Sequence, residues 1–165
     1  MNKRKKLVWQ IFPSFLLITL LSLFAVSWYA SQSLRQFYLD HTATDLYARA
    51  QLLEKLVDEH LEPSDATTVD SVCKEMGRST DTRFTIILPN GMVVGDSIET
   101  PDQMDNHADR PEIKQAFAGK RGRSIRYSNT LRQEMMYVAL PITDRGENIA
   151  VARASLPITF IENEL

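Results

Sequence analysis

The sequence has one cysteine, Cys73, in 165 residues, which excludes an internal disulfide and any metal cage built from cysteines. Cys73 falls on an apolar stripe with Val69, Val72 and Met76, so it reads as a buried, inert thiol. No G-x-S-x-G elbow occurs and no pair of carboxylates has the ordered spacing of a hydrolase, so no catalytic residue is assigned. Histidine is scarce, with three in the chain, and the one candidate ligand group is His107 with Asp105 or Asp109. That is too thin a ligand set for a metal, and no cofactor is expected. There is no internal repeat and no low-complexity tract.

Charge is absent from Leu7 to Ala30, LVWQIFPSFLLITLLSLFAVSWYA. Twenty-four helical residues reach roughly 36 Å, enough to cross a hydrocarbon core of about 30 Å. Pro13 lies near the start of the run, where its missing N–H costs least. Trp9 at one end and Trp28 with Tyr29 at the other have the spacing of an aromatic belt. Lys3, Arg4, Lys5 and Lys6 precede the run, and the next basic residue is Arg35. The positive-inside bias therefore predicts a cytoplasmic tail over 1–6, a span over 7–30 in contact with membrane lipid, and an extracytoplasmic remainder. The run exceeds the 7–15 residues of a signal-peptide core and offers only a weak cleavage pattern at Ala25-Val26-Ser27, so it reads as a retained anchor.

With Lys3–Lys6 set aside, 15 basic and 21 acidic residues give the rest of the chain a net charge of −6. That balance argues against nucleic acid as a partner. From Ser31 to Leu61 there is no Gly or Pro. Leu34, Phe37, Tyr38 and His41, then Leu46, Ala50, Leu53, Val57, His60 and Leu61, recur at three- and four-residue steps, predicting a long amphipathic helix that continues the span and stops at Pro63. Its apolar side is read either as packing on its own domain or as the seam of a homodimer. A second helix is expected around Val69–Met76, capped by Thr67 or Thr68 and stopped by Gly77.

The period then changes to that of strands. Arg83–Leu88 and Met92–Ser97 flank the turn Pro89-Asn90-Gly91, and a polar loop runs from Ile98 to Asp109. Asp109 and Glu112 have the spacing of a capping box for a short helix with Ile113, Ala116 and Phe117 inside and Gly119 at its end. Strands are predicted at Gly122–Tyr127, Met135–Ile142 and Ile149–Leu156, with turns at Ser128–Arg132 and Thr143–Asn148. The connections are too short for crossover helices, so the sheet is antiparallel. The fold class is α+β: a transmembrane helix continuing into a long helix, then a PAS/Cache-like five-stranded antiparallel sheet with helices over 31–157. Residues 158–165 read as the start of a segment leading to a second span. Such a sheet leaves a cavity under the loop and short helix, suited to a small molecule.

Within that cavity Arg126, Tyr127 and Tyr137 are the candidate ligand-binding residues, with Arg110 and His107 from the loop. His107 can also be read as proton-sensing. The reading preferred for the loop is structural, held by Asx turns, the capping box and an Arg110–carboxylate bridge. Lys120 and Arg121 are read as a solvated strand edge.

Several runs carry a family resemblance. Phe84-Thr85-Ile86-Ile87-Leu88-Pro89-Asn90-Gly91, Val94-Gly95-Asp96-Ser97, Met104-Asp105-Asn106-His107-Ala108-Asp109-Arg110-Pro111-Glu112, Ser124-Ile125-Arg126-Tyr127-Ser128 and Met136-Tyr137-Val138-Ala139-Leu140-Pro141 stand in the order seen in one group of proteins. Over Thr82–Pro157 the chain resembles the extracytoplasmic sensor domain of phosphate-regulon-type sensor histidine kinases and their cell-wall-stress relatives. The resemblance implies the input region of a two-component kinase, whose cytoplasmic part would carry the phosphoacceptor histidine, the ATP-binding domain and the contact with a response regulator. It does not imply that phosphate itself binds. This sequence contains no phosphoacceptor motif and no glycine-rich ATP lid, so the chain is expected to be no enzyme, and either the front of a kinase or a free-standing sensor. The alternatives are the sensor of a chemoreceptor or cyclic-dinucleotide enzyme, and a single-pass protein that contacts an envelope partner and binds no small molecule.

Overall fold

In the computed structural model, residues 3–57, 66–128 and 131–158 are described, the first eight of them as backbone only. The Trp9 and Lys3–Lys6 side chains, the helix stop at Pro63 and the segment from Thr159 onward lie outside the described residues. The chain forms two compact units, one up to Asp40 and one from His41 onward.

Helix α1 is Lys3–Val57, with Pro13 inside it. It therefore begins before the apolar run, and Pro13 sits in its interior rather than in its first turn, without a bond to the carbonyl four residues back. In the first unit the large apolar side chains face outward: Phe15 is 68 % exposed and Phe24 67 %. From Ile11 onward the helix is long and apolar enough to cross a membrane. Thr19 and Ser22 return their hydroxyl bonds to carbonyls four residues back, which leaves few unsatisfied polar groups along this stretch.

In the second unit Leu46, Ala50, Leu53 and Val57 are buried, as the three- and four-residue spacing predicts, and so is Ala43, whereas Leu34 and Phe37, earlier in α1, are 46 % and 65 % exposed. Beside it the Tyr47 hydroxyl donates to the carbonyl of Gly122 (2.9 Å) and Arg49 Nη1 donates to Thr82 Oγ1 (2.6 Å). Helix α2 is Ala66–Ser79. Thr67 and Thr68 lie inside its first turn rather than capping it, and the helix runs through Gly77 instead of stopping there. Gly77 has another use: a Cβ at that position would collide with the Cβ of Ser97, so glycine lets α2 lie against the chain leaving β2.

Five strands form one antiparallel sheet in the order β2-β1-β5-β4-β3, with β1 Arg83–Ile87, β2 Val93–Asp96, β3 Gly122–Ser128, β4 Gln133–Asp144 and β5 Glu147–Pro157. The fold class is thus as expected; of the three forecast turns, the one at Ser128–Arg132 lies partly outside the described residues. The turn after β1 closes with Gly91 N–H on the Leu88 carbonyl and Leu88 N–H on the Met92 carbonyl, both 2.8 Å. The β4–β5 connection is shorter than expected, because Arg145 and Gly146 take φ of 48° and 89°. A two-residue turn of this hand matches the twist of the flanking strands, so they extend to Asp144 and Glu147.

β1 is buried along its whole length because both of its faces are covered. Phe84 and Ile86 lie on one face, and Gly95, opposite Ile86, lies against Cys73 and Val69 of α2. The other face carries Arg83, Thr85 and Ile87. There Ile87, Val93, Ala139 and Val151 pack with Ile113 and Ala116 of α3 (Pro111–Phe117).

Cys73 is fully buried, and burial, with Asp96 and Asp70 nearby, pushes its thiol up to about 12. Thiolate is the reactive form, so a maleimide is expected to label the folded protein negligibly at neutral pH and to label it fully in denaturant. Rapid labelling of the folded protein would place Cys73 elsewhere.

Candidate functional site

Below the small apolar cluster under α3, the same face of the sheet becomes charged. Antiparallel register sets Arg153 opposite Thr85, and Ser155 opposite both Arg83 and Tyr137. Side chains two apart on a strand share a face, so Arg83, Thr85, Arg153 and Tyr137 converge. β3 adds Ser124, Arg126 and Ser128.

Two buried carboxylates tie these groups together. Glu112 Oε2 accepts from the Ser124 hydroxyl (2.6 Å) and Oε1 from Arg126 Nη2 (2.9 Å), with Arg153 Nη1 at 3.7 Å. Asp96 accepts from Arg83 Nε at 3.1 Å on both oxygens, from the Thr85 hydroxyl (2.8 Å), and from the N–H groups of Ile98 and Glu99. Arg153 Nη2 donates to Thr85 Oγ1 (3.0 Å) and so joins the two clusters. The Tyr137 ring lies between the guanidinium groups of Arg126 and Arg153, at 4.0 and 5.2 Å. Burial pushes both carboxyl pKa values up, but the arginines and the N–H and hydroxyl donors outweigh it and hold Asp96 and Glu112 below the ordinary carboxylate range. Both are therefore ionised at neutral pH. Burial lowers Arg153 from its usual value, and it still stays protonated there.

Of these groups Arg83, Arg126, Ser128, Tyr137 and Arg153 wall a cavity of about 220 Å³, with Glu99, Asp105, His107 and Arg110 of the loop after β2 on its other side. His107 N–H of the backbone donates to the Gly91 carbonyl (2.8 Å), and Asn106 bonds the Asn90 carbonyl through Nδ2 (2.7 Å) and the Ala108 N–H through Oδ1 (2.9 Å). The first two bonds anchor the loop on the β1–β2 turn, and the third closes an Asx turn within the loop. His107 Nδ1 lies 2.7 Å from the Asp105 carbonyl; since a carbonyl only accepts, Nδ1 carries the proton. Burial, then the charge of Arg153, lowers this histidine to about 4, so it is neutral at pH 7.

The five candidate residues divide clearly. Arg126, Tyr137, Arg110 and His107 line the cavity. Tyr127 does not: it is 56 % exposed, because a neighbour of Arg126 on a strand points to the opposite face. The expected capping box is absent. Arg110 is the N-cap of α3 without a side-chain bond, and Glu112 turns inward to the arginines. Asp109 instead pairs with Lys114 at the surface (2.8 Å), and among the described residues Arg110 has no carboxylate bridge. Arg121 lies over the Tyr47 ring at 5.3 Å. Arg83, Arg153, Asp96 and Glu112 escaped the sequence reading as site residues, although an arginine amid Ala150-Val151-Ala152 and Ala154 is a visible sign.

Among the described residues, three guanidinium nitrogens are buried without a partner: Arg83 Nη2, Arg126 Nε and Arg153 Nε. The buried network holds three arginines against two carboxylates, while at the loop Arg110 stands with Glu99 and Asp105. Buried charges and N–H groups demand partners. A small anion with two oxygens satisfies that demand.

The single Cache-like family profile matches residues 36–156. The chain belongs to the single Cache-like family. No curated protein is significantly similar to it. Solved structures share the fold of this Cache domain at low identity. The ligand-binding domain of the Campylobacter jejuni chemoreceptor Tlp3 in complex with 4-methylisoleucine has 16 % identity and a TM-score of 0.64 over 80 % of this chain and 57 % of that one. The sensor domain of the V. cholerae histidine kinase DctB has 18 % identity and a TM-score of 0.61 over 80 % and 56 %. The ligand-binding domain of the Pseudomonas fluorescens chemoreceptor CtaA in complex with L-isoleucine has 18 % identity and a TM-score of 0.57 over 76 % and 54 %. The chain therefore spans somewhat more than half the length of these structures.

Proposed function

We propose that this Cache domain is the extracytoplasmic input region of a sensor histidine kinase, and that it binds a small carboxylate-bearing ligand in the arginine-walled cavity. The observation that carries the ligand class is the pair of buried, unpartnered guanidinium nitrogens, Arg126 Nε and Arg153 Nε, of two arginines that line a space of about 220 Å³. Two structural neighbours are complexes with amino acids, which carry such a carboxylate. Glu99 and Asp105 on the loop side suit an ammonium at the other end of the ligand.

In this reading α1 crosses the cytoplasmic membrane with residues 1–6 inside and the sheet outside, and residues 158–165 lead to a second span. The ligand draws the loop and α3 toward Arg126 and Arg153, and the shift passes through the Arg49–Thr82 and Tyr47–Gly122 bonds into α1. A ligand moves such an equilibrium only by its differential affinity for the two states. A homodimer through α1 belongs to the same reading, supported by Leu52 and Leu56, which are 58 % and 53 % exposed. The kinase output rests on the motif resemblance over Thr82–Pro157. A chemoreceptor output is the second reading, favoured by Tlp3 and CtaA among the neighbours.

Arg126→Ala is expected to weaken binding of malonate or L-valine by roughly tenfold or more, the scale of one charge-assisted hydrogen bond, with the fold retained. Titration calorimetry on the full chain checks this; equal affinity in the two proteins refutes the assignment. A phosphatase fused after Leu165 is expected to be active, since the fusion point then lies outside the cytoplasm.

A further inference from the structure

A second cavity, of about 310 Å³, opens beyond Arg83 on the same face of the sheet, between the end of α2 and the strand ends of β1, β4 and β5. Its walls include Thr82, Ser155, Leu131, Met135 and Pro157, and Arg83 lines it as well as the first cavity. Ser155 is 1 % exposed and its hydroxyl has no hydrogen-bond partner; Arg83 is 6 % exposed and its Nη2 has none either. Two buried donors therefore belong to the wall of a space whose other lining is mixed, with Ile98, Leu131, Met135 and Pro157 apolar and Thr80, Ser97 and Gln133 polar. Burying a hydroxyl without a partner costs about 1–3 kcal/mol on protein scales, so an oxygen acceptor is what these two groups lack.

The charge balance here differs from that of the first cavity. Asp96 takes up the charge of Arg83 through two bonds to Nε, and the other ionisable group in the wall is Asp81. A carboxylate is therefore disfavoured, and a neutral oxygen is favoured.

We propose that this cavity is a second binding site, for a small neutral carbonyl compound such as an amide or lactone. Its carbonyl oxygen accepts from Ser155 Oγ and Arg83 Nη2, and its hydrocarbon body packs on Leu131, Met135 and Pro157. The site adjoins Thr82, which holds Arg49 of α1 at 2.6 Å, so its occupant acts beside one of the bonds that join the sheet to that helix. The assignment does not depend on the carboxylate reading of the first cavity, although Arg83 is common to both.

Caprolactam is a suitable probe, with hexanoate as its charged counterpart, followed by saturation-transfer NMR on the full chain in lipid nanodiscs. Caprolactam is expected to bind saturably and hexanoate more weakly. Ser155→Ala, which removes the hydroxyl and keeps the packing, should cost roughly fivefold to tenfold in caprolactam affinity. Leu131→Trp, which fills the cavity from its rim, should abolish binding, whereas Arg126→Ala should leave it unchanged. Absence of saturable binding would show a water-filled notch and overturn the proposal. So would binding that Ser155→Ala leaves intact or that Arg126→Ala removes, since the probe would then sit elsewhere. Caprolactam binding with the expected Ser155 dependence stands even if malonate and L-valine fail to bind the first cavity.

Discussion

Glu112→Ala is expected to lower the thermal midpoint of the domain by roughly ten degrees or more, the largest effect of any single substitution in the site. Glu112 is fully buried, and its two oxygens hold Ser124 and Arg126 and face Arg153. Its removal leaves two neighbouring guanidinium groups in a low-dielectric interior without a counter-charge. Breaking a buried ion pair from one side costs about 3–5 kcal/mol, well above the net worth of the pair. Glu112→Gln keeps the shape and one acceptor oxygen, so it should fall between alanine and wild type. A small anion should restore part of the lost stability in Glu112→Ala, because it supplies the missing charge. A change in midpoint of less than a few degrees in Glu112→Ala would mean that the arginines are not held as described.

Acidification is expected to destabilise the domain in two stages. His107 takes its proton at about 4 in the folded protein against 6.5 ordinarily. Between those values the unfolded chain binds more protons, so stability rises with pH. Stability is therefore lost as pH falls from about 6.5 to about 4, after which this contribution is constant. Asp96 and Glu112 sit below their ordinary values of 3.8 and 4.5. Their contribution is complete above that range and is lost as pH falls through it and below. His107→Gln should flatten the first stage and leave the second. Midpoints measured from pH 7.5 down to pH 3 check this; a flat profile between pH 6.5 and 5 in wild type would place His107 in contact with water.

The backbone plan was legible in the sequence because periodicity reports burial. The Leu46-Ala50-Leu53-Val57 spacing marks the buried stripe of α1, and β-branched runs broken by Pro-Asn-Gly and other polar turns mark the five strands. What stayed hidden depends on distant neighbours. Gly77 looks like a helix stop until Ser97 is seen packed on it. Glu112 has the spacing of a capping residue, and only the approach of β3 shows that it belongs to Arg126. Tyr127 adjoins Arg126 in sequence, but a strand sends adjacent side chains to opposite faces, so only Arg126 reaches the cavity. Arg83 opens a strand and Arg153 interrupts one, and nothing local reveals that register sets them two residues apart on one face. The cavity is accordingly a product of sheet register, whereas its loop side, His107 and Arg110, could be found from a single contiguous motif.

The most direct test of the carboxylate cavity is a melting curve of the purified full chain with malonate or L-valine, set beside malonamide and L-valinamide. A ligand that binds only the folded state raises the midpoint with its concentration. At least one of the two carboxylates is expected to raise it, and neither amide. Equal shifts from acid and amide, or no shift from either carboxylate, would contradict the assignment of the unpartnered Arg126 and Arg153 nitrogens to a ligand carboxylate.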